Sequence, residues 1–169
     1  QGNLQQEYAY DPTKPWMSQP LFTRAQRHDS QAWTVSYFGT SHLGTPEVAF
    51  EKSGAVTWRA KAQAFGETAV SLNTIDNALR FPGQYFDAET GLYQNYFRDY
   101  DPALGRYVQA DPIALDGGIN IYGYVLGNPK NNTDPFGLKT FQCTKPLHAL
   151  GDKWGPRGYK YGPLLYHQY

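Results

Sequence analysis

Arg80-Phe81-Pro82-Gly83-Gln84-Tyr85-Phe86-Asp87-Ala88-Glu89-Thr90-Gly91-Leu92-Tyr93-Gln94-Asn95-Tyr96-Phe97-Arg98-Asp99-Tyr100-Asp101-Pro102 is the stretch that decides the fold. Residues 79–86, 91–100 and 105–110 each carry aromatic or branched side chains. They are separated by Asp87-Ala88-Glu89-Thr90 and Asp101-Pro102-Ala103-Leu104, whose Asp side chains accept local backbone N–H bonds while Pro fixes φ. This pattern predicts three antiparallel strands in a meander. Downstream, residues 119–126 read as a short strand or one helical turn, helix being preferred, and Gly127-Asn128-Pro129 ends the element either way.

Upstream the same signature continues. Val56, Trp58, Ala60, Ala62 and Ala64 alternate with Thr57, Arg59, Lys61 and Gln63, the period of two expected of a strand with one buried face. Ser53-Gly54 makes a hairpin turn back to residues 47–50, and Trp33-Thr34-Val35-Ser36-Tyr37-Phe38 reads as a further strand. Residues 67–78 are polar and weakly patterned, which predicts a surface connection, and residues 1–31 read as loop with one short strand at 21–24. Among 169 residues there are 17 Gly, 12 Pro and 16% aromatics, so the fold class expected is mainly β, built of antiparallel strands and hairpins.

A single cysteine, Cys143, excludes an intrachain disulfide and leaves no cysteine pair to begin a zinc site. Apolar runs fall short of the roughly 18 to 20 residues of a membrane helix, and Gln1-Gly2-Asn3 opens neither a basic n-region nor an apolar h-region. Without an initiator Met the chain reads as a piece of something longer. Net charge is zero, yet residues 1–138 hold 10 Lys/Arg against 14 Asp/Glu and residues 139–169 hold 5 Lys/Arg against Asp152 alone, so the two parts have opposite signs.

Tyr10-Asp11-Pro12 and Tyr100-Asp101-Pro102 share a core, and Tyr85-Phe86-Asp87 is a relative. A Tyr-Asp step suits the end of a strand, with the ring on the sheet and the carboxylate in an Asx-turn, and its repetition builds a large curved sheet. The quoted run, continued by Gly105-Arg106-Tyr107, Asp111-Pro112-Ile113, Asn128-Pro129 and Asp134-Pro135-Phe136-Gly137-Leu138, resembles the Rhs-associated core of YD-repeat proteins. Phe38-Gly39-Thr40-Ser41-His42-Leu43-Gly44-Thr45-Pro46 extends the likeness upstream, with Ser41 and Ala114 departing from the family pattern, which has Asp and Gly there.

The resemblance implies a hollow β-shell whose core region closes one end. It implies self-cleavage after the Asp-Pro-x-Gly-Leu motif, here between Leu138 and Lys139, releasing a variable C-terminal toxin. It also implies a catalytic set of Arg98, Asp111 and Asp134, with Pro135 and Gly137 positioning the substrate segment. Residues 1–32 would then end the YD-repeat region, residues 33–138 form the core, and residues 139–169 start the toxin. Expected partners are the remainder of the shell, the enclosed toxin, an immunity protein and a secretion adaptor. The resemblance points to a bacterial effector exported without a signal peptide in this stretch. No cofactor, metal, nucleic acid or membrane segment is called for.

Two carboxylates suit amide cleavage because close approach stops both ionising, leaving one as base and one as acid. A permanently charged Arg would hold them or stabilise an oxyanion. Because Asp134 lies four residues before Leu138, the reaction would be intramolecular and single-turnover. The residues alone leave other readings open. Asp-Pro is most often a turn, an Arg among strand aromatics most often a surface or stacking group, and Asp99, Asp101 and Arg106 are neighbours that spacing does not exclude. His42 reads as structural, and the tyrosines and tryptophans as packed faces. Cys143, His148 and His167 in the tail leave a Cys/His effector open as well, and a purely structural or binding shell fragment is the third reading.

Overall fold

The computed structural model describes residues 6–144 and 160–163, with side chains as far as residue 142. Six strands follow one another along a single antiparallel sheet: β1 (Gln6–Tyr10), β2 (Pro20–Gln26), β3 (Trp33–Thr40), β4 (Pro46–Phe50), β5 (Val56–Ala62) and β6 (Thr68–Asn73). A second sheet is the expected meander, of four short strands rather than three: β7 (Tyr85–Phe86), β8 (Tyr93–Asn95), β9 (Arg98–Asp101) and β10 (Arg106–Tyr107). In a third sheet β11 (Asn132–Thr133) pairs with β12 (Phe141–Thr144), which pairs with β13 (Lys160–Pro163).

Three sequence expectations change. Residues 91–100 are a hairpin and not one strand, because Tyr96 takes a left-handed φ of 54° and reverses the chain between β8 and β9. Residues 67–78 contain β6, whose side chains are almost all exposed; an edge strand with no buried face leaves no apolar alternation to read. Residues 1–31 contribute two strands, with Thr23 and Ala25 buried. The helix preferred at 119–126 is absent. Turns fill 119–124, Gly123 bridges to Arg106, and a short 3₁₀ turn at Val125–Gly127 is broken by Leu126 at φ 57°.

Two clusters hold the sheets. Ala25, Ala49, Trp58, Ala60 and Ile75 pack under the large sheet, where the alternation of β5 places Trp58 and Ala60 inward and Arg59 and Lys61 outward. Phe81, Tyr93, Tyr100, Tyr107, Tyr124 and Val125 form the second cluster. Two of its four tyrosines send their hydroxyls to acceptors on the β5–β6 turn: Tyr100 donates to the Phe65 carbonyl at 2.6 Å and Tyr93 to that of Gly66 at 3.0 Å. These bonds tie the meander to the large sheet and fix the platform from which β9 and β10 present the polar groups described next.

Candidate functional site

The hairpin at Tyr96 turns β9 so that Arg98 points inward, where its side chain is 2% exposed. A buried guanidinium needs acceptors for its donors. Arg98 Nε donates to the Gly137 carbonyl, Nη1 to the Ile121 carbonyl at 3.2 Å, and Nη2 faces Asp111 Oδ2 at 3.0 Å and Asp134 Oδ2 at 3.4 Å. The three residues singled out by resemblance thus meet in one buried cluster. Asp99, Asp101 and Arg106 do not join it. Asp99 accepts from Gln109 at the surface, Asp101 closes an Asx-turn onto Ala103 and Leu104, and Arg106 lies over the Tyr122 ring. His42 hydrogen-bonds the Lys130 carbonyl, a structural contact.

Asp111 and Asp134 are both local turn residues, as Asp-Pro pairs usually are, and this is what aims them. Asp111 Oδ1 accepts from Ile113 N–H at 3.0 Å, leaving Oδ2 for Arg98. Asp134 follows β11, and residues 135–138 wrap around its carboxylate. Oδ1 accepts from Leu138 N–H at 3.0 Å and from Lys139 N–H at 3.2 Å. Lys139 N is the nitrogen of the Leu138–Lys139 bond, so the amide expected to break already donates to Asp134. Burial pushes the Asp134 carboxyl above its ordinary range, and the bonds from Leu138 N–H and the Tyr107 hydroxyl oppose this only in part.

Pro135 is fully buried against Gly83, where a Cβ would overlap the Pro135 carbonyl oxygen at 2.2 Å. Gly137 takes φ +67°, and a Cβ there would lie 2.5 Å from the Asn95 carbonyl. The Leu138 side of the bond faces a cavity of about 480 Å³ lined by Arg98, Gly117, Ile119, Leu126, Asp134 and Leu138, with room for a water beside Asp134. A larger cleft of about 1050 Å³ at the junction of β5–β6 with β7–β8 is lined by none of the three clustered residues. Of the tail candidates, Cys143 is known only as a backbone position of β12, and His148 and His167 lie outside the described residues.

Sequence reasoning passed over three neighbours. A Cβ on Gly117 would lie 2.3 Å from Asp111 Oδ2 and 3.0 Å from the Leu138 carbonyl oxygen, so its missing side chain is the space in which the carboxylate and that carbonyl converge. Tyr107 donates to Asp134 Oδ2 at 2.9 Å, and Asn95 Nδ2 donates to the Tyr107 hydroxyl at 2.7 Å and to the Asp134 carbonyl at 2.9 Å. Tyr107 was legible only as one more packed ring; no spacing distinguishes it from Tyr100.

Residues 28–122 match the family model described as the teneurin YD-shell. The chain is 35% identical over 145 residues to double-stranded DNA deaminase toxin A of Burkholderia cenocepacia, covering 78% of this chain and 10% of that protein. It is 42% identical over 131 residues to the probable deoxyribonuclease RhsA of Dickeya dadantii, covering 76% of this chain and 9% of that one. The chain therefore spans about a tenth of the length of these relatives. Among solved structures, TcdB2-TccC3 without its hypervariable C-terminal region superimposes with a TM-score of 0.59 at 24% identity over 69% of this chain and 6% of that one, a likeness of fold.

Proposed function

The chain belongs to the teneurin YD-shell family, as an Rhs-type shell fragment of the polymorphic toxins, and from that membership we propose that it cuts itself between Leu138 and Lys139 by aspartate-dependent hydrolysis. One observation carries the reading: the Lys139 N–H sits on Asp134 Oδ1 while the Leu138 carbonyl oxygen converges with Asp111 Oδ2 over Gly117. Every group around Asp134 donates to it, which is the environment of a carboxylate. Asp111 Oδ2 and the Leu138 carbonyl oxygen both border the space over Gly117, which makes Asp111 the group placed to serve that oxygen as general acid.

The steps follow. A water from the cavity attacks the Leu138 carbonyl carbon. Asp134 takes one of its protons, and the proton held at Asp111 moves onto the carbonyl oxygen. The tetrahedral centre then collapses. The C–N bond breaks, Asp134 delivers its proton to the Lys139 nitrogen, and the carbonyl oxygen returns its proton to Asp111. One water is consumed, leaving a carboxyl on Leu138 and an amine on Lys139. Arg98 keeps both acidic side chains in place and offsets the charge on Asp134. Substrate and catalyst are one chain, so no encounter entropy is lost and each molecule reacts once.

In this reading residues 33–138 are the self-cutting core, residues 1–32 end the repeat shell, and residues 139–169 begin the enclosed toxin. The remainder of the shell, an immunity protein and an export adaptor would be its partners in a bacterial secreted effector. The test is intact mass after expression, beside Asp134→Asn. Two fragments divided at Leu138/Lys139 from the parent and one whole species from the variant support the reading. A parent that stays whole, both alone and joined to an upstream YD-repeat shell, overturns it.

A further inference from the structure

Tyr107 occupies a place in the site that its neighbours in the aromatic cluster do not. Its ring is fully buried, and its two faces of chemistry serve two different members of the charged cluster. The hydroxyl donates to Asp134 Oδ2 at 2.9 Å, and the Arg98 guanidinium carbon lies 3.6 Å from the centre of the ring. The hydroxyl is itself held, because Asn95 Nδ2 donates to it at 2.7 Å and so leaves its single proton directed at the carboxylate. Asn95 is fully buried, and the same amide nitrogen bonds the Asp134 main-chain carbonyl at 2.9 Å. Asn95 and Tyr107 therefore grip Asp134 at both backbone and side chain.

We propose that Tyr107, oriented by Asn95, is a positioning residue for the self-cleavage, one that fixes the Asp134 carboxylate through its hydroxyl and the Arg98 guanidinium through its ring. This rests on the hydrolysis described above and adds a residue to it. Asp134 must present Oδ1 to the Lys139 nitrogen. With Oδ2 pinned by Tyr107 and Arg98, rotation of the carboxylate is stopped, and the reacting oxygen stays on the scissile amide. The hydroxyl also favours the ionised form that accepts the proton of water, against the burial that disfavours it. The charged and titratable groups facing Asp134 are Arg98 from β9, Tyr107 from β10, Asp111 across the shared Arg98, and Tyr124 from the turns after β10. Only Tyr107 among them both bonds Asp134 Oδ2 and stacks on Arg98.

The experiment compares Tyr107→Phe with Tyr100→Phe. Each variant deletes one buried phenol hydroxyl from the same cluster; that of Tyr100 bonds the Phe65 carbonyl, away from the carboxylates. Full chain captured uncut in denaturant is refolded by dilution across a pH series, and cleavage is followed by intact mass, with thermal melting reporting the fold. Tyr107→Phe is expected to cut about 10- to 100-fold more slowly, with the acid limb of its pH–rate profile displaced upward by about half to one unit. Tyr100→Phe is expected to lower the melting temperature while keeping the parental rate and profile. A Tyr107→Phe chain that melts as a folded protein and cuts with the parental rate and profile overturns the inference, as does a Tyr100→Phe chain whose profile moves equally. A parent that never cuts overturns the hydrolysis itself, which separates that failure from this one.

Discussion

The backbone N–H of Lys139 donates to Asp134 Oδ1 at 3.2 Å, across a loop only five residues long. The same oxygen accepts Leu138 N–H at 3.0 Å, so the Asp134 carboxylate organises the segment it would cut. A proton on Oδ1 would collide with both donors, so the surroundings of that oxygen suit the ionised form that the proposed base role requires.

The pH dependence follows from that. Burial holds the Asp134 carboxyl above its ordinary range, so it stays protonated, and inactive as a base, to a higher pH than a free aspartate. The rate constant for self-cleavage should rise with pH, with its midpoint above the roughly 3.9 of an unperturbed Asp. Refolding uncut chain at stepped pH and quenching for mass analysis gives the curve. A midpoint at or below the free-aspartate value would contradict the base role of Asp134.

Arg98 separates charge from shape. Arg98→Lys and Arg98→Met should both remain uncut, because neither holds the Gly137 carbonyl and two carboxylates at once. Being the same covalent species, they can be compared directly for stability. Arg98→Met leaves two buried carboxyls without a cation, so it should be less stable than Arg98→Lys by about 3 kcal/mol at neutral pH. The difference should narrow at acidic pH as Asp134, whose carboxyl burial holds above its ordinary range, takes up a proton. Urea denaturation at both pH values measures it, and equal stability at neutral pH would remove Arg98 as the charge holding the pair.

What was legible in the sequence follows the period of burial. β5 was read because Trp58 and Ala60 alternate with Arg59 and Lys61, and its hairpin with β4 because Ser53-Gly54 lies between them. β6 was missed because an exposed edge strand has no inner face to signal. The break at Tyr96 was missed because Tyr96-Phe97 offers no Gly, Asn or Asp to signal a left-handed φ, and the rings beside Tyr96 include Trp16 and Phe136, both distant in sequence. Family resemblance named Arg98, Asp111 and Asp134, and the fold brings them together. Gly117 and Tyr107 were illegible because their part depends on what lies opposite them in space: a carbonyl and a carboxylate in one case, a guanidinium in the other.

Gly117→Ala tests whether the convergence over that residue is needed. Its added methyl would meet Asp111 Oδ2, which is tethered to Ile113 and Arg98, and must push it or the Leu138 carbonyl aside. Cleavage should fall by about a hundredfold, while the melting temperature drops by only a few degrees, as for an overpacked site costing about 1–3 kcal/mol. Intact mass over time and thermal melting are the two readouts. Parental cleavage in this variant would mean that Asp111 and the Leu138 carbonyl do not meet where Gly117 leaves room.

Gly137→Ala and Gly91→Ala make a matched pair. Both glycines have left-handed φ, +67° and +76°, so each alanine carries the same backbone penalty of about 1–2 kcal/mol. They differ in what the new methyl meets: nothing within 4 Å at Gly91, the Asn95 carbonyl oxygen at 2.5 Å at Gly137. Backbone oxygen in a paired strand gives way poorly, and Asn95 is the residue that orients Tyr107 and binds the Asp134 carbonyl. Gly91→Ala should therefore lose stability and still cut at the parental rate, whereas Gly137→Ala should lose a comparable or larger amount and stay whole. If both variants cut alike when brought to equal folded fractions, the close approach of Gly137 to β8 concerns the fold alone, and the segment before the scissile bond reaches Asp134 without it.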